Sequence, residues 1–398
     1  MDAKHSLGEP RLLISRDALL HNTAYLRKLV GPSQKICAMI KADAYGHGAD
    51  LVIDTLYNFS TDDLEGPVVD AFAVASIDEA ALLPLTSLPL LIFRPVENCF
   101  LGRQKQRLEM AIRQGWILTV CSPAAAGDLA RIAQTLQKRA NVQIMVDTGM
   151  TRIGVLADDF EALLQSVQAQ PALKLVGLAT HFATAEDPQS TFTLIQLERF
   201  RAVTDPAAQR LGGRIFRHAA NSGALFFRPE TRFDMVRPGI SIYGIDPTGK
   251  PSTQRPLAPV LKWTAPLIGI KDVKQGTGVG YAQTWRAPRD TRIGLVGIGY
   301  GDGYLRAMGN TAMMLLHGKA LPVVGRVSMD LTTLDLGSCP EAAIGDEVTV
   351  LDNNPLSPCS VYALAQWAGT IPYEIFTRIG PRIHRVVAEV EEPAPKRY

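Results

Sequence analysis

An excess of charge of either sign is missing from this chain: 41 Lys and Arg stand against 39 Asp and Glu, leaving a net charge of +2 over 398 residues. So even a balance, with no basic tail, removes the electrostatic footprint of a nucleic-acid or anionic-membrane binder, and neither partner is expected. Long apolar runs are missing too. None reaches the roughly 18 consecutive apolar residues that cross a bilayer, and the opening MDAKHSLGEPRLL lacks the pattern of a secretory signal. A cytoplasmic protein is the expectation. Cysteine is scarce and scattered: Cys37, Cys99, Cys121, Cys339 and Cys359 are odd in number and without C-x-x-C spacing. They indicate neither a disulfide framework nor a zinc site, read as core thiols, and give no reason to expect a metal. Internal repeats and low-complexity blocks are absent as well.

What is present is a hydrophobic fraction of 46%, enough for a large interior, in a chain longer than one typical core. Eight short runs rich in β-branched and small apolar residues punctuate the first 240 positions: ICAMI (36–40), AFAVA (71–75), PLLIF (89–93), ILTVC (117–121), VQIMV (142–146), LVGLAT (175–180), IFRHA (215–219) and FDMVR (233–237). Between them lie stretches with helical spacing, at 107–115, 128–139 and 160–170. Eight strands alternating with helices predict a parallel (β/α)8 barrel, with a doubly wound open sheet as the competitor. No G-x-G-x-x-G follows the first strand, which weakens the open sheet. After the Pro/Gly/polar stretch IYGIDPTGKPSTQRPLAP (242–259) the texture becomes strand-like with glycine punctuation, and only SVYALAQWAG looks helical. The expected organisation is a barrel domain over 1–247 and a mostly β domain over 248–398. The tail EEPAPKRY reads as frayed.

In such a barrel, polar residues at the C-terminal strand ends carry function. Lys41 ends the first strand; Arg152 follows the fifth; His181 ends the sixth; Asn221 and Ser222 end the seventh; Arg237 ends the eighth. Each has a structural reading alone: a satisfied buried histidine, a helix cap, an ion-pair arginine. Together they offer an imine-forming amine, cations without a local carboxylate, and donors suited to a phosphate or carboxylate. GISIYG adds glycine-permitted backbone N–H groups near the last strand.

The motifs AMIKADAYGHGA, DTGMTRIG, THFATAED, HAANS, MVRPGISIYG, VGYAQTW, IGYGDGY and GRVSMD, in this order over nearly the whole chain, resemble those of the alanine racemases, which depend on pyridoxal 5′-phosphate. The resemblance implies a barrel plus β domain in a head-to-tail homodimer whose β domains complete the partner's active sites. It implies that Lys41 carries the cofactor through an imine, that Arg237 faces the pyridine nitrogen, and that Tyr45, Asn221, Ser222, Gly239, Ile240 and Tyr373 hold the cofactor. Tyr281 matches a second catalytic base, Met329 the backbone donor to the substrate carboxylate, Tyr300 an entrance aromatic, and Arg152 a substrate-side cation. His181 and Asp330 would stand behind these. The implied activity interconverts L- and D-alanine, supplying D-alanine for peptidoglycan precursors. Two bases on opposite faces suffice for racemisation, and an unperturbed Tyr, titrating near pH 10, needs positive or hydrogen-bonding neighbours to serve as one. His181, oriented by Arg237, is the implied neighbour.

Rival readings are a racemase of different or broader range such as serine, a barrel-type decarboxylase, and a non-catalytic cofactor-binding protein. The decarboxylase would need an acidic residue where MVRPG supplies Arg237. One departure from the family pattern stands out: a lysine that is carbamylated in many members, two residues before DTGM, is Met145 here. A thioether cannot form a carbamate, so Arg152 is expected to find another partner, a small anion such as chloride or a carboxylate from elsewhere.

Overall fold

The computed structural model describes residues 8–58, 68–213 and 215–388; the tail EEPAPKRY lies outside them. The chain divides into two compact units, one of Thr23–Ala44 and Val52–Ile242, the other of Met1–Asn22, Tyr45–Leu51 and Tyr243–Tyr398.

The first unit is a closed parallel barrel. Its strands are Lys35–Met39, Ala71–Val74, Leu90–Pro95, Ile117–Val120, Ala140–Asp147, Leu173–Ala179, Phe216–His218 and Met235–Val236, each hydrogen-bonded to the next. The ring closes where Met235 and Val236 of the eighth strand pair with Lys35 and Ile36 of the first. Closure removes the open-sheet alternative. All eight expected strands form, because runs such as Ala71–Val74, buried at every position, suit a parallel strand covered on both faces. Alternate residues Cys37, Ala71, Ala73, Leu91 and Met235 pack together with Met39, Phe93 and Ile117. Continuing the same alternation by two places from Met39 and Met235 reaches Lys41 and Arg237, so the layer that fills the barrel leads directly to its polar end. Two of the three expected helices begin earlier than apolar spacing alone suggests, at Gln104 and Pro123, while the third begins at Phe160 as expected. Ser122 caps the helix Pro123–Thr135 by accepting from the Ala125 N–H at 3.2 Å, with Pro123 preset for the first turn.

The second unit is built on a mixed sheet around the long strand Leu261–Val273. That strand pairs antiparallel with Arg11–Ile14, Thr291–Val296 and Glu347–Leu351, and Arg11–Ile14 pairs in parallel with His384–Val387. The strand Arg11–Ile14 was not among the expected elements: RLLI is too short to show a period. The same limit hid the seven-residue helix Pro372–Arg378, which follows the expected helix Val361–Ala368. A small ladder, Gly278–Val279 against Trp285–Arg286, presents the turn Tyr281–Gln283 at its tip.

Candidate active site

Lys41 opens the segment Lys41–Gly46, in which Ala42, Asp43, Ala44 and Tyr45 have φ of 53°, 53°, 52° and 55°. Four consecutive side-chain-bearing residues in the left-handed region store strain of roughly 1–2 kcal/mol each. Glu79 holds the segment's start: its carboxylate accepts from the Ala42 N–H at 3.2 Å and from the Ala75 N–H at 2.8 Å. In the sequence, Ser76-Ile77-Asp78-Glu79 reads as a capping box, and the Ser76 half is realised, Oγ accepting from the Glu79 N–H at 3.2 Å. Glu79 reaches elsewhere, a role sequence reasoning missed. Burial pushes the Lys41 ammonium below the ordinary lysine range, Arg152 adds to that by like-charge repulsion, and Glu79 opposes both. A neutral amine, able to act as nucleophile or base, is thereby made more accessible.

Arg237 is buried and has no carboxylate partner among the described residues. It donates to the Thr180 carbonyl at 2.7 Å, the Ala219 carbonyl at 3.1 Å and His218 Nδ1 at 2.8 Å, and meets His181 Nδ1 at 3.4 Å. Arginine has donors only, so each imidazole must present an unprotonated nitrogen to it. Both rings are accordingly held neutral. His181 is pushed down to about 3 by burial first and then by Arg237, Arg152 and Lys41, and His218 falls well below its usual range for the same leading reason. Arg237 itself is lowered by burial to about 10 and keeps its charge at neutral pH. Its guanidinium carbon also lies 5.3 Å from the Phe93 ring centroid. His218 was not singled out in the sequence, although HAANS displays it.

Arg152 sits in a loop organised by Asp147, whose Oδ1 accepts from the Gly149 N–H at 2.9 Å and the Thr151 N–H at 3.1 Å. A second tie comes from Gln196 on the helix Phe192–Arg210, fully buried, which donates to Thr148 Oγ1 at 3.2 Å and the His181 carbonyl at 3.0 Å and accepts from the Ala183 N–H at 2.8 Å. Nothing in the sequence marks Gln196, since its value lies in joining two loops distant along the chain. Arg152 is exposed in this chain rather than buried, and no ion pair of Arg152 is found among the described residues. The expected desolvation cost of an unpaired guanidinium therefore does not arise. Met145, at 1% exposure, is part of the barrel filling.

At the seventh strand's end Asn221 is the cap of the helix Ser222–Phe227, its Oδ1 accepting from the Ala224 N–H at 3.0 Å. Ser222 Oγ accepts from the Gly239 N–H at 3.0 Å and the Ser241 N–H at 3.4 Å, drawing the segment Gly239-Ile240-Ser241 over the helix start. Ser241 Oγ is buried with no hydrogen-bond partner among the described residues. A buried orphan hydroxyl beside gathered backbone N–H groups is what an anion such as a phosphate would satisfy.

The remaining expected residues belong to the second unit. Tyr45 is buried against Tyr243 and Tyr373, with ring centroids 5.0 and 6.1 Å away. Burial, then the neighbouring Tyr373, pushes its hydroxyl above the usual tyrosine range, so it remains a donor. Gly46, at φ 80°, approaches the Phe376 carbonyl oxygen so closely that a Cβ would stand 2.2 Å from it. Tyr281 is 69% exposed and Met329 54%, and the Met329 N–H has no partner among the described residues. The Tyr300 N–H donates to the Ser328 carbonyl at 3.0 Å, and Arg382 bridges Asp330 at 3.0 Å and Asp302 at 2.9 Å, bracing that loop.

Comparison with known proteins gives a consistent result. Residues 14–247 match the alanine racemase N-terminal domain and residues 260–387 the alanine racemase C-terminal domain. The chain is 38% identical over 375 residues to the alanine racemase of Chlorobaculum tepidum, covering 94% of each. Among solved structures it is similar to the alanine racemase of Streptomyces coelicolor, at TM-score 0.85 and 30% identity over 98% of this chain and 100% of that one. It is also similar to that of Bartonella henselae, which carries covalently bound pyridoxal phosphate, at TM-score 0.80 and 27% identity over 95% of this chain and 99% of the other.

Proposed function

This chain belongs to the alanine racemase family, and from that premise we propose that Lys41 and Tyr281 are the two acid–base groups of its active site. The activity is the pyridoxal-phosphate-dependent interconversion of L- and D-alanine. The cofactor supplies an electron sink for the charge left at the substrate α-carbon. The residues present fit it. Lys41, with its lowered pKa, would attach it; the segment over Ser222, with Gly239, Ile240 and the orphaned Ser241 hydroxyl, would hold the phosphate with Tyr45 and Tyr373; Asn221 shapes that end as a cap.

The observation that carries this reading is Arg237. It is a buried cation that two neutral imidazoles and two carbonyls hold in place, with no carboxylate on it among the described residues. Facing a pyridine nitrogen, it would donate a hydrogen bond and give up no proton, which would restrain the sink and disfavour decarboxylation and transamination. A decarboxylase would need an acid at this point. His181, being neutral, would serve Tyr281 through hydrogen bonding rather than charge.

Met329 would offer its free N–H to the substrate carboxylate, with Tyr300 at the entrance and Asp330, tied to Arg382, bracing the loop. Arg152, without a carboxylate partner, is left for the substrate and a small anion such as chloride, whose removal at fixed ionic strength would raise KM. The sharing of each site between the subunits of a homodimer is supported by the exposure of Tyr281 and Met329 in the single chain. No described helix is long and apolar enough to cross a membrane, and five free cysteines fit a reducing cytoplasm.

Borohydride reduction of the holoenzyme is expected to fix the cofactor on the peptide containing Lys41, and a panel of amino acids should show racemisation fastest with alanine. Label on another lysine removes the Lys41 assignment; a faster rate with serine moves the substrate range.

A further inference from the structure

The β unit carries a cluster that racemisation leaves unused. Its hairpin strands Met313–Leu316 and Lys319–Pro322 turn through His317 and Gly318, at φ 50° and 75°, which sets the imidazole against the loop following Thr332–Asp335. In that loop Cys339 Sγ stands 3.9 Å from His317 Nδ1, and Glu341 Oε1 stands 4.0 Å from the same nitrogen. The three ligand atoms all lie within 4.8 Å of one another. Behind the ring, His317 Nε2 is 3.0 Å from Asp346 Oδ2, and that oxygen is pinned by the Ala343 N–H at 2.8 Å.

A carboxylate on Nε2 keeps the ring proton there and leaves the Nδ1 lone pair directed at Cys339 and Glu341, the outer arrangement that metal-bound histidines recurrently show. We propose that His317 Nδ1, Cys339 Sγ and Glu341 form a zinc site, with Asp346 orienting the imidazole and solvent completing the tetrahedron. One nitrogen, one sulfur and one carboxylate oxygen are zinc's preferred donors. In a tetrahedral zinc site neighbouring donors stand roughly 3.3–3.6 Å apart, so closing the cluster around the metal takes side-chain shifts of between a few tenths of an ångström and about 1 Å. On binding, the Cys339 thiol proton leaves to solvent and the metal takes its place. Cys339 is held by its backbone, its N–H donating to the Leu336 carbonyl at 2.8 Å, so the thiol is already positioned. Lys319 Nζ lies 2.6 Å from Glu341 Oε1, and zinc binds in competition with that ion pair. The pattern is invisible as a motif, since His317 and Cys339 come from separate strands' ends.

The test is zinc titration of the chelator-treated holoenzyme, with a competing chromophoric chelator as readout. One equivalent per chain should bind, and Cys339→Ser or His317→Asn, the latter keeping the left-handed turn, should each weaken it by at least about tenfold. Cys121→Ser should not. Cobalt in place of zinc should give a thiolate-to-metal charge-transfer band in the wild type that Cys339→Ser lacks, and this reading stands even where a variant folds poorly. Wild-type racemase rates in the folded variants would place the site outside the catalytic machinery. Absence of uptake, uptake equal in Cys339→Ser, or cobalt bound without the band would each overturn the proposal.

Discussion

On the proposed two-base reading Tyr281 and Lys41 would serve opposite faces of one carbon, so their substitution should separate the enantiomers. With Tyr281 acting on L-alanine and Lys41 on D-alanine, Tyr281→Phe is expected to cut solvent-deuterium exchange of the L-enantiomer far more than that of the D-enantiomer. Equal losses would make Tyr281 structural. His181 carries a prediction about stability. Its pKa is lowered from an unfolded value near 6.5 to about 3, so below the unfolded value the unfolded chain binds the extra proton and stability falls with pH until the folded value is reached. Full stability is present above about pH 6.5, and roughly 2 kcal/mol from this residue should be gone at about pH 5. Urea unfolding at the two pH values measures it, and His181→Gln should flatten the dependence by that amount. An unchanged slope would mean that the imidazole is not held neutral.

At the scale of elements, the segment after the first barrel strand behaves opposite to an ordinary helix. In a right-handed helix Ala42→Gly would lose about 1 kcal/mol. At φ 53°, glycine relieves the left-handed penalty on an exposed residue and keeps the N–H that Glu79 holds, offset by a more flexible unfolded chain. Stability is expected to stay level or rise by up to about 1 kcal/mol, read from the urea midpoint; a loss of about 1 kcal/mol would contradict the conformation. The sequence could not announce this turn. KADAY has good helix formers and no glycine, and only Glu79 and the surrounding packing impose the opposite hand.

For the whole molecule, the question is whether one chain makes a site by itself. Lys41→Ala and Tyr281→Phe should each be nearly inactive, but mixed and reassembled they would form heterodimers holding one site with both groups intact. Random mixing gives half the dimers this composition, so about a quarter of wild-type activity should return. If no activity returns although subunit exchange is verified independently, both groups come from one chain.

The sequence by itself determined the family of the protein, its barrel-plus-β architecture and its cofactor-dependent activity. Eight apolar runs in alternation with helices predicted the barrel because a strand buried on both faces must be apolar throughout; among the rim candidates Lys41 and Arg237 were legible because charge at the end of such a run is costly unless used, and His181 and Ser222 by standing at the ends of the sixth and seventh runs. Short elements escaped, since four residues at Arg11–Ile14 carry no period and their pairing partners lie some 250 and 370 positions away in register with Thr264 and His384. Tertiary structure alone decided the protonation of His181 and His218, which depends on the burial and the Arg237 charge around them rather than on residue type. It also decided the reach of Glu79 and Gln196 across loops and the exposure of Arg152. Hydrogen bonds and desolvation act between groups close in space, and the order of residues along a chain does not state those distances.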